Sequence, residues 1–163
     1  MKILFICHGN ICRSTMAEFV MRNLLEQNSL DGEISAFSMA THTDEIGEPP
    51  YYETLRILRE NNLKDYPHKA TQVKNSDYDK YDLILCMDDE NMQTLGKIFA
   101  GKDMKKVKFL LEYSIQNKDK PLKHTDLIIA DPYYTKDFER CFYDVSRACK
   151  GLLAQILKTK PKT

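Results

Sequence analysis

Short apolar runs alternate along this chain with longer stretches in which apolar residues recur at helical spacing. The apolar runs predict four strands, over Lys2–Cys7, Glu33–Met39, Tyr81–Met87 and Val107–Tyr113. The helical spacing predicts helices over Ser14–Asn28, Tyr51–Asn62, Asp88–Phe99 and Phe138–Leu157. Strands and helices that alternate in this way are typical of a parallel sheet with right-handed crossovers and helices on both faces.

This alternation, together with the length of the chain, predicts a single α/β domain. At 163 residues, of which 42% are hydrophobic, the chain is long enough to bury a sizeable core. We assign the domain to residues 1–157, and the sequence shows no repeat and no second domain. Residues 158–163 contain three lysines and are expected to form a flexible, solvated tail.

Charge and cysteine content exclude several classes of protein. The 24 Lys and Arg residues balance the 24 Asp and Glu residues, so no overall field favours nucleic acid or a membrane surface. No apolar run approaches the roughly 18 residues of a membrane span, and the first run is too short for a signal peptide, which predicts a cytoplasmic protein. The five cysteines are odd in number and lack zinc-ligand spacing, so neither a disulfide framework nor a metal site is expected.

The first predicted strand leads at once into a segment suited to hold an oxyanion. Residues 7–14 read Cys-His-Gly-Asn-Ile-Cys-Arg-Ser and are followed directly by the first helix. A loop between a strand and a helix N-terminus points backbone N–H groups inward, and the helix dipole adds positive potential. Such a site would stabilise Cys7 as a nucleophilic thiolate, while the guanidinium of Arg13 can hold two phosphate oxygens. The segment therefore indicates phosphoryl transfer to sulfur.

The spacing of Cys7 and Arg13 is weak support by itself. Five cysteines and six arginines in 163 residues give this spacing by chance in roughly one such chain in five. The serine that follows, Ser14, and the flanking strand and helix make the match more specific. The alternative is that Cys7 is a small buried residue at a strand end. Ser14 is also expected to cap the helix.

Phosphoryl transfer also needs a proton donor for the leaving oxygen, and Asp131 is the candidate. It precedes Pro132 in the segment that leads to the last helix. An aspartate before proline is commonly only a turn initiator, and the residues alone favour that interpretation. No metal is expected, because the loop, the helix dipole and Arg13 already supply positive charge.

Three separate segments resemble the low-molecular-weight protein tyrosine phosphatase family. Residues 7–14, continued by Met16-Ala17-Glu18, are similar to the signature of that family. Residues 81–88 with Asn91, and residues 131–134, also fall where the family has its motifs. The likeness covers essentially the whole chain, and the nucleophile precedes the candidate acid, unlike the order in the larger tyrosine phosphatases.

The resemblance implies a flavodoxin-like fold with strand order 2-1-3-4 and a protein tyrosine phosphatase that needs no cofactor. It implies that Cys7 takes the phosphoryl group as phosphocysteine and that Arg13 binds the phosphate. Asp131 would act first as general acid and then as general base. The expected partner is a protein phosphorylated on tyrosine, and the enzyme is expected to be a monomer, with a weak dimer as the alternative.

The resemblance also assigns roles to residues around these three. The loop residues implied to bind substrate are His8, Gly9, Asn10, Ile11, Cys12 and Ser14. Tyr133 and Tyr134 would form aromatic walls for the substrate ring. Asn10, Ser14, Ser38 and His68 match family positions that hydrogen-bond around the loop and hold its shape. Cys12 is close enough along the loop to pair with Cys7 on oxidation.

Departures from the family pattern cluster at the expected mouth of the site. Asp44 stands where many members have an aromatic residue, and an acidic group there is expected to weaken phosphate capture or to select basic flanking sequences. Tyr51-Tyr52-Glu53 replaces the usual Asp-Pro-Arg. In the same way Thr15 and Thr71 replace a common proline and a common arginine. Substrate preference is therefore the least transferable property.

Two rival functions would use the same residues. A related arginine phosphatase has threonine at the position of Ile11, and an apolar side chain there favours phosphotyrosine over phosphoarginine. The second rival is non-catalytic: a module that binds a phosphorylated ligand or senses redox state, in which Cys7, Arg13 and Asp131 would be kept only by descent.

Overall fold

A four-stranded parallel sheet forms the centre of the molecule. The computed structural model describes residues 1–114 and 121–159. Its strands are β1 (Lys2–Cys7), β2 (Ser35–Ala40), β3 (Leu83–Cys86) and β4 (Val107–Phe109). Every neighbouring pair is parallel, in the order β2-β1-β3-β4, which confirms the predicted α/β fold and its strand order.

Helices cover both faces of this sheet. They are α1 (Arg13–Gln27), α2 (Tyr52–Glu60), α3 (Asp89–Ile98), α4 (Pro132–Thr135) and α5 (Phe138–Thr159). Side chains of β1 alternate between the two faces: Phe5 belongs to the core under α1 and α5, and Leu4 and Ile6 belong to the core under α3. Among the described residues, none of the helices combines the length and the apolar character that a bilayer span requires.

The fourth strand is shorter than its apolar run predicts, because the chain turns after Phe109. The Phe109 amide donates to the Glu112 carboxylate at 2.7 Å, and a 3₁₀ turn over Leu110–Ser114 follows. This turn lies so close to α5 that a Cβ added at Gly151 would come within 1.9 Å of the Tyr113 carbonyl oxygen. The apolar residues after Phe109 are therefore buried by packing against a helix, which periodicity in a short run cannot distinguish from burial in a sheet.

Helix ends differ from the prediction by one or two residues, and two of these differences affect a predicted role. α1 begins at Arg13 with Cys12 as its N-cap residue, so the predicted capping role of Ser14 is wrong. The Ser14 hydroxyl is instead turned toward the side chains of the preceding loop. α5 extends to Thr159, two residues into the predicted tail, and residues 160–163 lie outside the described part of the chain.

Candidate active site

The carboxyl end of β1 opens into a pocket of about 210 Å³. β1 lies between β2 and β3, and ligands bind open α/β sheets at such a reversal of strand order. Most of the predicted site residues line the pocket: Cys7, His8, Gly9, Asn10, Ile11, Cys12, Arg13, Asp44, Asp131, Tyr133 and Tyr134. Glu45, which the sequence did not single out, also lines it, whereas Ser14, Ser38 and His68 do not.

Cys7 lies in this pocket with hydrogen-bond donors facing its sulfur. Only 3% of the residue is exposed. The Asn10 amide donates to Sγ at 3.3 Å, and the Ser14 hydroxyl oxygen lies 3.0 Å from it. Because that oxygen accepts from the Asn10 side-chain amide at 2.8 Å, the Ser14 hydroxyl hydrogen is free to point at the sulfur. Two donors aimed at one buried sulfur are a polar environment, unlike that of the inert core thiol of the alternative interpretation.

Asn10 gives the loop its shape. Its φ of 62° lies in the left-handed region, where asparagine is tolerated better than most residues. The Thr15 hydroxyl donates to its carbonyl oxygen at 2.9 Å, and His68 Nε2 lies 2.8 Å from the same oxygen. The Thr71 amide donates to its side-chain oxygen at 3.2 Å. Thr15 thus holds the loop through a hydroxyl that the usual proline lacks, a contact that sequence reasoning missed.

Ser38 reaches the loop through an intermediary. Its hydroxyl donates to Glu18 Oε1 at 2.6 Å, and that oxygen lies 3.9 Å from Nδ1 of His68. Burial raises the pKa of Glu18, although Ser38, Arg22 and His68 each favour its ionised form. Glu18, to which the sequence assigned no separate role, therefore links Ser38 to the contact between His68 and the loop.

Arg13 is buried and held in place by acceptors from two other segments. Its Nη1 donates to Asp88 Oδ2 at 2.6 Å and to the Ile129 carbonyl oxygen at 2.9 Å, and Nη2 donates to Asp131 Oδ2 at 3.3 Å. Burial opposes the charge on Arg13, but Cys7, Asp88 and Asp131 outweigh it and raise the pKa of the guanidinium. The cation that the site needs is therefore fixed beside the sulfur. Asp88 was missed as a functional residue, since as the N-cap of α3 it has an ordinary structural role.

Replacing Asp88 with asparagine should weaken the site through Arg13. The two oxygens of Asp88 have separate tasks, because Oδ1 caps α3 by accepting from the Asn91 amide at 2.8 Å and Oδ2 holds Arg13. Asparagine has a single acceptor oxygen and no charge, so the loss of one charge-assisted hydrogen bond should lower kcat/KM by about 10- to 100-fold. Steady-state kinetics and thermal unfolding measure the two tasks separately. The control is Asp89→Asn at the exposed neighbour, and an unchanged kcat/KM in Asp88→Asn would show that Arg13 does not depend on this contact.

Asp131 uses its two oxygens differently. Oδ1 accepts from the Tyr133 amide at 3.0 Å and caps α4, as expected of a turn initiator. Oδ2 faces Arg13 and lies on the pocket. The structural and the catalytic interpretations of Asp131 are therefore compatible, since each concerns a different oxygen.

Aromatic residues form the wall next to Asp131. The rings of Tyr133 and Tyr134 lie edge to face with centroids 5.2 Å apart, and both are exposed at the pocket. Behind them, Tyr51 contacts the rings of Tyr133 and Phe138. Its amide also donates to the Ile11 carbonyl oxygen at 2.9 Å, which ties the start of α2 to the β1–α1 loop. Tyr51, which differs from the usual family residue, therefore packs its ring behind the aromatic wall.

Asp44 lies at the mouth as expected, and its carboxylate faces His8. His8 Nε2 lies 2.7 Å from Asp44 Oδ2, and His8 lowers the pKa of that carboxyl group. The expectation from the sequence rested on the charge of Asp44 alone and did not include the contact with His8.

The remaining cysteines differ from Cys7 in their surroundings. Burial, reinforced by the neighbouring Cys7, raises the pKa of Cys12 to about 12, so its thiol stays neutral. Pairing of Cys12 with Cys7 on oxidation stays a prediction. Cys86, Cys141 and Cys149 are buried in the core.

Comparisons with known proteins agree over the whole chain. The family model of the low molecular weight phosphotyrosine protein phosphatases matches residues 2–162. The low molecular weight protein-tyrosine-phosphatase YfkJ of Bacillus subtilis is 38% identical over 160 residues, covering 98% of this chain and 97% of that protein. The Gallus gallus low molecular weight phosphotyrosine protein phosphatase is 39% identical over 156 residues, covering 93% of each chain. The crystal structure of YfkJ superposes with a TM-score of 0.89 at 37% identity, covering 99% of this chain and 97% of the other.

These relatives are protein tyrosine phosphatases, which are hydrolases, and the matched region contains the β1–α1 loop with its cysteine and arginine. The resemblance in three sequence segments is thereby confirmed, and the chain belongs to the low molecular weight phosphotyrosine protein phosphatase family.

Proposed function

We propose that this phosphatase hydrolyses phosphotyrosine in protein substrates in two steps, through a phosphocysteine on Cys7. The observation that carries the mechanism is the convergence of Cys7, Arg13 and Asp131 on one pocket. The nucleophile, the phosphate-binding cation and the proton donor thus all reach one bound phosphate.

In the first step the Cys7 thiolate attacks phosphorus and the bond to the tyrosyl oxygen breaks. Asp131 in its protonated form gives its proton to that oxygen, so tyrosine leaves as a neutral phenol. In the structure, Nη2 of Arg13 donates to Asp131 Oδ2. A bound phosphate offers Arg13 stronger, bidentate acceptors, which draws the guanidinium away from Asp131 and leaves that oxygen for the leaving group.

In the second step water hydrolyses the phosphocysteine. The Asp131 carboxylate formed in the first step takes a proton from the water as it attacks phosphorus, and the sulfur–phosphorus bond breaks. Phosphate leaves, Asp131 is protonated again, and the Cys7 thiolate is restored. The Asn10 amide and the Ser14 hydroxyl, which face Sγ, stabilise the thiolate as a leaving group.

The shape of the pocket supports phosphotyrosine as the substrate. Cys7 is almost fully buried, so a short phosphorylated side chain would not reach its sulfur easily. Tyr133 and Tyr134 line one side, where an aromatic ring can pack against them. Ile11 lines the pocket as well and packs against the core, which leaves an apolar surface for the ring.

A side-by-side assay of phosphotyrosine and phosphoarginine peptides tests this preference, with Ile11→Thr as the informative variant. The wild-type protein should favour phosphotyrosine. The change to threonine should shift the ratio of the two kcat/KM values toward phosphoarginine by about 10-fold, the usual effect of a small change in pocket polarity. Ile46→Thr, at an exposed side chain outside this pocket, is the matched control. A wild-type preference for phosphoarginine would overturn the proposal.

The proposal extends to the partner and the cellular location of the protein. A phosphorylated protein is the partner that the family implies. The balanced charge of the chain supports a cytoplasmic protein without affinity for nucleic acid. A monomer, or a weak dimer, stays a prediction from the sequence.

A further inference from the structure

A histidine at the mouth of the pocket contacts two carboxylates from different elements. Nδ1 of His8 lies 2.6 Å from Glu90 Oε1 in α3, and Nε2 lies 2.7 Å from Asp44 Oδ2 in the segment after β2. A neutral imidazole carries one N–H, so only a protonated ring donates to both carboxylates. The contacts therefore describe an imidazolium that bridges two sides of the mouth.

Groups on every surrounding element affect the charge of this bridge. On the segment after β2, His42 stacks on His8 with ring centroids 3.9 Å apart, and Glu45 lines the pocket near Asp44. On α3, the neighbour Asp89 is turned to His124 instead. Among the other ionisable groups that line the pocket, Arg13 donates to Asp131 at 3.3 Å, and Cys7 is the chain neighbour of His8.

The balance of these groups favours the charged ring. Burial of His8 opposes protonation, but the hydrogen bonds and charges of Glu90 and Asp44 outweigh it and raise the pKa of His8. The stabilising bridge is therefore complete at low pH and is lost as the pH rises through this raised pKa.

The same side chains are not arranged as a metal site. His8, His42 and Glu90 each offer a ligand atom, and these atoms lie within 4.8 Å of one another. A metal lies in the plane of each imidazole that binds it through a ring nitrogen lone pair. The two rings are stacked at an interplanar angle of 8°, so no single ion lies in both planes. Both nitrogens of His8 already face carboxylates, which makes the cluster an ion-pair network.

We propose that His8 is a specificity-determining residue, whose bridge to Asp44 and Glu90 sets the charge of the mouth and thereby selects substrates by flanking sequence and pH. The proposal rests on the phosphotyrosine substrate proposed above. While the bridge is formed, the positive His8 and the negative Asp44 and Glu90 together have a net charge of −1. A neutral ring keeps one N–H, so one carboxylate is released beside the path of the phosphate dianion. Peptides with acidic flanks are then repelled most, and peptides with basic flanks least.

Two substitutions at His8 separate charge from shape. His8→Gln keeps a hydrogen-bond donor without a charge, and His8→Arg keeps a charge that does not titrate. We compare both with the wild type from about pH 5.5 to about pH 8.5, on either side of an ordinary histidine pKa. KM and kcat are measured for phosphotyrosine peptides with acidic or basic flanks.

The expected effect falls on KM, because contacts at the mouth hold substrate and transition state about equally. At low pH, His8→Gln should raise KM for the acidic peptide about fivefold over the wild type and His8→Arg, as expected of one charge near a dianion in water. At high pH the KM of the wild type for the acidic peptide should approach that of His8→Gln, while the KM of His8→Arg should stay low. Any pH dependence that the three proteins share, such as that of the phosphate group, cancels in ratios of their KM values, so these ratios isolate the effect of His8.

The matched control is His124→Gln, which alters another exposed histidine paired with α3 but outside the pocket. Its KM ratio to the wild type should stay near one at every pH. A constant ratio between wild type and His8→Gln across the pH range, or His8→Arg behaving like His8→Gln, would overturn the proposal. Affinity for inorganic phosphate, measured by calorimetry over the same series, should follow the same pattern without turnover. If the protein does not hydrolyse phosphotyrosine, the phosphate affinities still report on the bridge, so the two proposals can fail separately.

Discussion

Cys7→Ser should abolish turnover of aryl phosphates and leave phosphate-analogue binding in place. A serine hydroxyl does not ionise near neutral pH, so the variant lacks the thiolate that attacks phosphorus. The backbone donors of the loop and Arg13, which is held by Asp88 and the Ile129 carbonyl, are untouched. Loss of an essential nucleophile typically costs about 10⁴-fold or more in kcat. Turnover of an aryl phosphate and calorimetric binding of vanadate or phosphate measure the two properties.

The matched control is Cys149→Ala, which removes a thiol buried in the core away from the pocket. It should change stability more than activity. Cys7→Ser with activity within tenfold of the wild type would end the covalent mechanism. A wild-type protein that binds phosphate but turns over no phosphorylated substrate would instead favour the non-catalytic binding module.

The β1–α1 loop was predictable because its parts are contiguous. A buried strand, a segment with a cysteine and an arginine, and a helix follow one another along the chain. The alternation of strands and helices likewise predicted a parallel sheet and the approximate positions of its elements, whereas the strand order was implied by the family resemblance.

Contacts between distant segments were not predictable in this way. Asp88 is 75 positions from Arg13 and Glu90 is 82 positions from His8, and neither pair has a local sequence pattern. Both acidic residues occur at the start of α3, where acids are common for helix capping and for the helix dipole. Their roles in the site appear only once the parallel sheet brings the ends of β1 and β3 to one edge.

The wrong assignment of Ser14 has a similar cause. A serine at the start of a helical pattern is an N-cap on local grounds. In the fold the Ser14 hydroxyl contacts the sulfur of Cys7. Cys12 occupies the N-cap position and makes no side-chain capping hydrogen bond. A functional site has thus displaced the local preference, as sites commonly do.

Asp131→Asn should slow the first step most for substrates with poor leaving groups. Asparagine caps helices as well as aspartate does, so α4 should keep its start, but the amide is far too weak an acid to protonate the leaving oxygen. For phosphotyrosine, whose phenol is a poor leaving group, we expect a loss of about 10²- to 10⁴-fold. An activated aryl phosphate such as p-nitrophenyl phosphate needs little protonation, so formation of the phosphocysteine should slow far less.

The second step gives this variant a distinct kinetic signature. Asparagine also lacks the carboxylate that activates water, so the phosphocysteine on Cys7 should accumulate with the activated substrate. A rapid-mixing experiment should then show a burst of nitrophenol close to one equivalent per enzyme, followed by slow turnover. The matched control is Asp137→Asn, at an exposed carboxylate that accepts from the Arg140 amide at 2.9 Å near the start of α5. Equal slowing of the burst phase and of phosphotyrosine hydrolysis would assign Asp131 to the structure of its loop, because only a proton donor discriminates between leaving groups.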